Sequence, residues 1–215
     1  YDPDPHIRLR LHVSRPTFLQ DVLHLSDKHS LPFLEERSVW KVQIDTYKRE
    51  VERYHPKNIE IVESLFFWDS LHILQRIKKM DVDNWYWCLQ QIKIYLHAAE
   101  FNLAQKRQFV SQMSASLGME FCSEKKIHID QKYRAKRKQI EEWLNKSSQV
   151  PKTLCTYLEA IKKNTPTKFP EILGSLIHMM VNRCIESEPR MHEYLMYEFL
   201  VRYYKSYAAR NPNVA

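Results

Sequence analysis

Apolar and basic positions alternate strictly over residues 6–13, with Ile7, Leu9, Leu11 and Val13 on one side and His6, Arg8, Arg10 and His12 on the other. A period of two belongs to a half-buried strand, so this stretch predicts a strand with one apolar and one basic face. Asp2-Pro3-Asp4-Pro5 leads into it as a stiff extended segment, because each proline fixes its own φ and keeps the residue before it out of the helical region. A second alternating stretch, residues 39–44, sets Trp40, Val42 and Ile44 against Lys41 and Gln43. The two are predicted to pair in a small antiparallel sheet. Between them, Phe18, Leu19, Val22 and Leu23 recur at helical spacing after Pro16 and predict a helix.

Beyond Pro56 the period changes to that of a helix and keeps it almost to the end. Ile59, Val62, Phe66, Ile73 and Ile77 mark one long amphipathic segment. Residues 85–100, 103–117, 130–145 and 153–163 give four more, and Pro151, Pro166 and Pro170 punctuate the later stretch. The last two predicted helices, 171–185 and 189–209, are rich in aromatic residues and methionine, which in a helix points to core. The predicted fold class is α+β: mostly helical, with a small antiparallel sheet at the N-terminal end. One domain over residues 1–215 is expected, its strands confined to residues 1–56 and its helical region covering residues 57–215.

Composition agrees with helix. Of 215 residues, 44% are hydrophobic and 12% aromatic, enough for a sizeable core. The two glycines, Gly118 and Gly174, are too few for a Gly-rich nucleotide loop or a turn-dense β-sandwich. No apolar run reaches the roughly 20 residues that cross a bilayer, and no signal sequence opens the chain, which sets the expectation of a soluble, cytoplasmic protein. Cys88, Cys122, Cys155 and Cys184 are too scattered for a zinc knuckle or redox pair and are expected as buried thiols, with no metal site and no cofactor. A formal charge of +7 favours an anionic partner without saying which. Because Tyr1 stands directly before a predicted strand, the chain is expected to be a piece of something longer.

Three places could carry chemistry. The strand face His6, Arg8, Arg10, His12 sets cations about 6.6–7 Å apart, close enough for two guanidiniums to grip one carboxylate, although a solvated outer face has the same spacing. Tyr47-Lys-Arg-Glu-Val-Glu-Arg-Tyr54 sets Arg49 and Arg53 one turn apart if helical, with Glu50 and Glu52 as partners, a pattern that an ion-paired surface helix also shows. Gly174, His178 and Asn182, spaced by four, draw a polar stripe on an otherwise apolar helix, where the small glycine would open room beside the imidazole and the amide would orient it. A satisfied core histidine is the plainer alternative. The basic run 132–138 is followed by Glu141 and Glu142 and reads as a solvated helix face. No zinc-protease, nucleophile-elbow, Walker or cysteine-protease motif is present.

Asp2-Pro-Asp-Pro-His-Ile-Arg-Leu-Arg-Leu11 resembles the motif that opens the C-terminal domain of class I lanthipeptide (lantibiotic) dehydratases. The resemblance continues in order. Tyr47–Tyr54 is similar to the family's Tyr-x-Arg-Glu-x-x-Arg-Tyr, Phe66-Phe-Trp-Asp-Ser70 to its Phe-x-x-Asp-Ser, and Ser175-Leu-Ile-His-Met-Met-Val-Asn-Arg183 to its Leu-x-His-Met-x-x-Asn-Arg. Two departures stand out: His55-Pro56 replaces a common Gly-Gly, and Met180 replaces a frequent histidine.

The resemblance implies a glutamate-elimination lyase of lanthipeptide biosynthesis, acting on Ser and Thr side chains already glutamylated from glutamyl-tRNA and leaving dehydroalanine or dehydrobutyrine. Matched by motif, Arg8, Arg10 and Arg49 would bind glutamate and stabilise charge, and His178 would move a proton. His6, Arg53, Tyr54, Asn182 and Arg183 would contact substrate. The implied partners are the glutamylated precursor peptide and an upstream glutamylation domain or protein, with room for a cyclase and a homodimer. One rival is a pyridine synthase of thiopeptide biosynthesis, which joins two dehydroamino acids. Another is a non-catalytic peptide- or nucleic-acid-binding module. The arginine set together with His178 favours elimination, since a cycloaddition needs no grip on glutamate.

Overall fold

The computed structural model describes residues 7–13, 15, 17–78, 84–121, 123–146 and 148–211, without the side chains of 123–130 and 132. His6 and Cys122 lie outside the described residues. The chain divides into two compact units, residues 1–49 and 50–215.

The first unit holds one helix, α1 (Phe18–Glu35), flanked by irregular segments. The helix after Pro16 is therefore where the periodicity puts it. The antiparallel sheet is not formed: among the described residues there is no strand, and the fold is helical throughout. The physical reason lies in burial. Two isolated strands are marginal unless an apolar face packs on something. Here Ile7 is 97% exposed and Trp40 73%, and Leu9, Leu11 and Ile44 are exposed as well. Alternation shows that a segment has two faces, but it supplies neither the ladder partner nor the layer that would cover one of them.

The second unit is a helical bundle: α2 (Val51–Tyr54), α3 (Ile59–Ile77), α4 (Asn84–Ala98), α5 (Leu103–Gly118), α6 (Ser123–Asn145), α7 (Lys152–Asn164), α8 (Phe169–Cys184) and α9 (Pro189–Arg210). Seven of these fall where the 3.6-residue period predicts them. α4 and α8 run through the core: Cys88, Leu89, Ile92 and Leu96 of one and Leu173, Ile177, Met180 and Val181 of the other are fully buried. α9 packs along α5 and also meets α6 and α8, while α3 leans on α7 and α8. A buried amide network fixes α3 to α7. Asn58 donates to the Thr165 hydroxyl at 2.7 Å and accepts from Asn164 at 3.0 Å. α5 begins with a capping box in which Asn102 and Gln105 satisfy each other's backbone N–H.

Candidate active site

The apolar face of α8 turns Ile172, Leu173, Leu176, Ile177 and Met180 into the core, which leaves Gly174, His178 and Asn182 along one side, as the spacing predicts. The glycine does not open room for the imidazole. A Cβ on Gly174 would stand 3.1 Å from Met113 Sδ, so its lack of a side chain lets α5 approach α8. The amide does contact the ring, with Asn182 Nδ2 3.0 Å from His178 Nε2. The other ring nitrogen meets a carboxylate: His178 Nδ1 lies 2.6 Å from Glu193 Oε2. One neutral tautomer satisfies both contacts, with Nδ1–H donating to Glu193 and Nε2 accepting from Asn182.

Glu193 is wholly buried, whereas the His178 side chain remains 27% exposed, so an accessible imidazole is backed by an inaccessible anion. Arg190 Nη1 stands 3.3 Å from His178 Nδ1 and 3.5 Å from the same Oε2, and its guanidinium also grips Glu120 through two bonds of 2.6 and 3.0 Å. The second oxygen of Glu193 has no hydrogen-bond partner among the described residues. A buried histidine–carboxylate pair of this kind sets ring orientation and decides which nitrogen is free to exchange a proton.

Neither Glu193 nor Arg190 was found from the sequence. They sit on α9, beyond the reversal at residues 185–188, where Glu188 takes a left-handed φ of 47° ahead of Pro189. A signal was nevertheless present. Glu193 falls in register with Tyr197, Leu200 and Tyr204 on the buried face of α9, a charge where the period demands an apolar residue.

A second polar cluster adjoins the first through α8. Arg183 Nη1 donates to Asp69 Oδ2 at 3.0 Å, and Tyr95 donates to Asp69 Oδ1 at 3.2 Å. Burial raises the Asp69 carboxyl from 3.8 to about 6, against the opposing pull of Arg183 and Tyr95. The Arg183 guanidinium lies 4.7 Å over the Phe66 ring, which meets Tyr54 edge-on with centroids 5.6 Å apart. Tyr54, Phe66 with Asp69, and Arg183 thus converge from three helices.

A family model described as lantibiotic biosynthesis dehydratase C-term matches residues 1–204. The chain belongs to this family. No curated protein and no solved structure matches it. Membership gives it a role in lanthipeptide dehydration, a biosynthesis whose substrate is a precursor peptide. Among the described residues no helix is long and apolar enough to cross a membrane, and no cluster of three metal-ligating side chains occurs.

Both departures from the dehydratase pattern have a local explanation. His55, in place of a common glycine, adopts φ 73° and ψ 143°, a region where a Cβ is strained. The backbone keeps the conformation that glycine suits, although the residue is histidine. His55→Gly is therefore expected to raise stability by ~1 kcal/mol, read as a higher urea midpoint with unchanged slope. Met180, where a histidine is frequent, is fully buried, with its sulfur 3.7 Å from Cys88 and 3.9 Å from Cys184. The position faces the core. Cys88 and Cys184 are free buried thiols as expected, and Cys155 is a half-buried one.

The remaining site residues divide between the units. Arg8, Arg10 and Arg49 are exposed residues of the first unit, with the Arg10 guanidinium 4.8 Å over the Tyr47 ring. Arg53, in the second, pairs with Glu50 at 3.0 Å on the surface. Tyr54 is only 1% exposed, so its phenol is part of the core. In the basic run on α6, Arg137 pairs with Glu141 at 3.0 Å, the solvated-face arrangement its composition predicts.

Proposed function

We propose that this dehydratase domain eliminates glutamate from glutamylated Ser and Thr residues of its precursor peptide, giving dehydroalanine and dehydrobutyrine. The Cα–H proton is removed, the electron pair forms the Cα=Cβ bond, and the Cβ–O bond breaks with glutamate leaving as a carboxylate. The observation that carries this proposal is the His178–Glu193 pair, an imidazole about a quarter exposed whose Nδ1 lies 2.6 Å from a buried carboxylate. Such a ring suits proton transfer at Nε2, as the base at Cα or as the acid at the departing oxygen. Exposed Asn182 borders that nitrogen and can orient the peptide.

Arg8, Arg10 and Arg49 are assigned to the glutamyl carboxylate and to the negative charge that grows on the peptide carbonyl as the proton leaves. His6 and Arg53 are assigned to substrate contacts. Tyr54 and Arg183 support the site from behind, one as core and the other through Asp69. The glutamyl group itself would come from a separate glutamyl-tRNA-dependent domain or protein.

The test supplies the protein with a synthetic peptide carrying one glutamylated serine and follows products by mass spectrometry. Release of glutamate with formation of dehydroalanine is expected. Glu193→Gln is expected to slow it by about 10–100-fold with KM little changed, because ring orientation and not binding is lost. Glutamate released together with free serine, or no release at all, would refute the assignment.

A further inference from the structure

The turn joining α4 to α5 and the neighbouring α7 enclose a cleft of about 450 Å³, distinct from the His178 site. Part of its wall is apolar, from Phe101, Val150 and Leu158, and part is basic, from His97, Lys106 and Lys162. Lys93 stands one helical turn before His97 on α4.

The cations in this cleft are not equally compensated. Lys162 donates to the Ala99 carbonyl at 3.3 Å and lies 3.9 Å from Glu100. The ammonium of Lys93 is held by the Leu144 carbonyl. Lys106 and His97 have neither an ion pair nor a side-chain hydrogen bond among the described residues. Lys106 is half-buried all the same, whereas His97 is exposed on the rim with only part of its ring covered. Burial lowers the Lys106 ammonium, and His97 is lowered by burial and then by the charges of Lys106 and Lys93. Of the two carboxylates on the cleft, Glu100 is taken by Lys162 and Glu159 is exposed on the rim. The capping box at the start of α5 already uses the side chains and backbone N–H groups of Asn102 and Gln105.

We propose that this cleft binds a small amphipathic oxyanion, a carboxylate or phosphate monoester with a short apolar body. Its charged end meets Lys106 and His97, and its apolar end lies against Phe101, Val150 and Leu158. The ligand supplies the counter-charge that the protein withholds from Lys106 and draws a proton onto the neighbouring His97 ring, and the apolar wall explains why a bare inorganic ion would fill the space poorly.

The experiment follows the imidazole resonances of the isotopically labelled protein by NMR during titration with butyrate, phenyl phosphate and, as an ionic-strength control, chloride. A saturable shift of the His97 signals is expected, with the His97 titration midpoint moving to higher pH and the His178 signals unmoved. Lys106→Met is expected to weaken binding by about tenfold or more, as for loss of a charge-assisted hydrogen bond, while Lys106→Arg retains it. Unmoved His178 signals in both variants report an intact fold. A response to butyrate alone assigns a carboxylate ligand, to phenyl phosphate alone a phosphate ester, and to both a site that selects charge and apolar body. No saturable response, a response that chloride reproduces, or equal binding by Lys106→Met would overturn the proposal.

Discussion

Replacing His178 by alanine is expected to leave glutamylated precursor peptide intact while the yield of dehydrated product falls by about 10²–10⁴-fold, the range for loss of a positioned proton-transfer group. The fold should survive. His178 is more than a quarter exposed, and the helix around it is held by Leu173, Ile177, Met180 and Val181, none of which the substitution touches. Truncation does leave the buried Glu193 without its imidazole, so some stability is lost, with Arg190 at 3.5 Å remaining as a partner. His178→Gln separates the two effects: it restores an amide donor to Glu193 but cannot exchange a proton. Both variants should therefore fail to eliminate, with the glutamine variant the more stable of the two. If either converts glutamylated peptide at near wild-type rate, His178 is a structural residue. Thermal melts run beside the mass spectra show whether an inactive variant is folded.

Arg183→Leu is expected to cost ~3–5 kcal/mol of stability at neutral pH, because it removes one partner of a buried ion pair and strands the other. That makes Arg183 chiefly a clamp joining α8 to α3, over the Phe66 ring and against Asp69. The cost should depend on pH in a definite direction. Asp69 has its folded pKa raised to about 6 from 3.8 in the free side chain. The native state therefore holds a proton that the unfolded chain releases between those values. The Asp69 contribution to stability is full below 3.8, declines as pH rises towards about 6, and is lost above it, a change of ~3 kcal/mol for that difference in pKa. Without the guanidinium, which pulls the Asp69 pKa down, the protonated form is favoured further. The penalty of Arg183→Leu should accordingly shrink as pH is lowered from 7 to 4, where a neutral Asp69 needs no counter-charge. Urea unfolding of the wild type and Arg183→Leu across that range measures it, with Asp69→Asn as the reference lacking the titration. A penalty independent of pH would show that the pair contributes through packing alone.

His178 shows how much of the site was legible. Its place on an apolar helix and the amide four residues on could be read directly, since both follow from the 3.6-residue repeat. Glu193 was harder, although its charge interrupts the buried face of α9, because an interrupted pattern does not say what the charge meets. The Asp69–Arg183 pair was not legible at all as an interaction: two motifs were visible, but nothing in their spacing states that they touch across 114 residues.

By itself the sequence determined seven of the eight helices of the second unit, because propensity, proline breaks and a 3.6-residue apolar period are local and repeat often enough to set element type, although α6 begins at Ser123, seven residues before the predicted start. It also determined family membership, carried by ordered motifs. Only the tertiary structure decided whether two alternating segments became a sheet, since a ladder needs a partner and a covered face and neither is encoded in a single strand. It also decided what surrounds His178. The reversal between α8 and α9 brings Glu193 to 2.6 Å from the imidazole, and that approach is fixed by how apolar faces stack, a long-range balance of burial that no residue spacing contains.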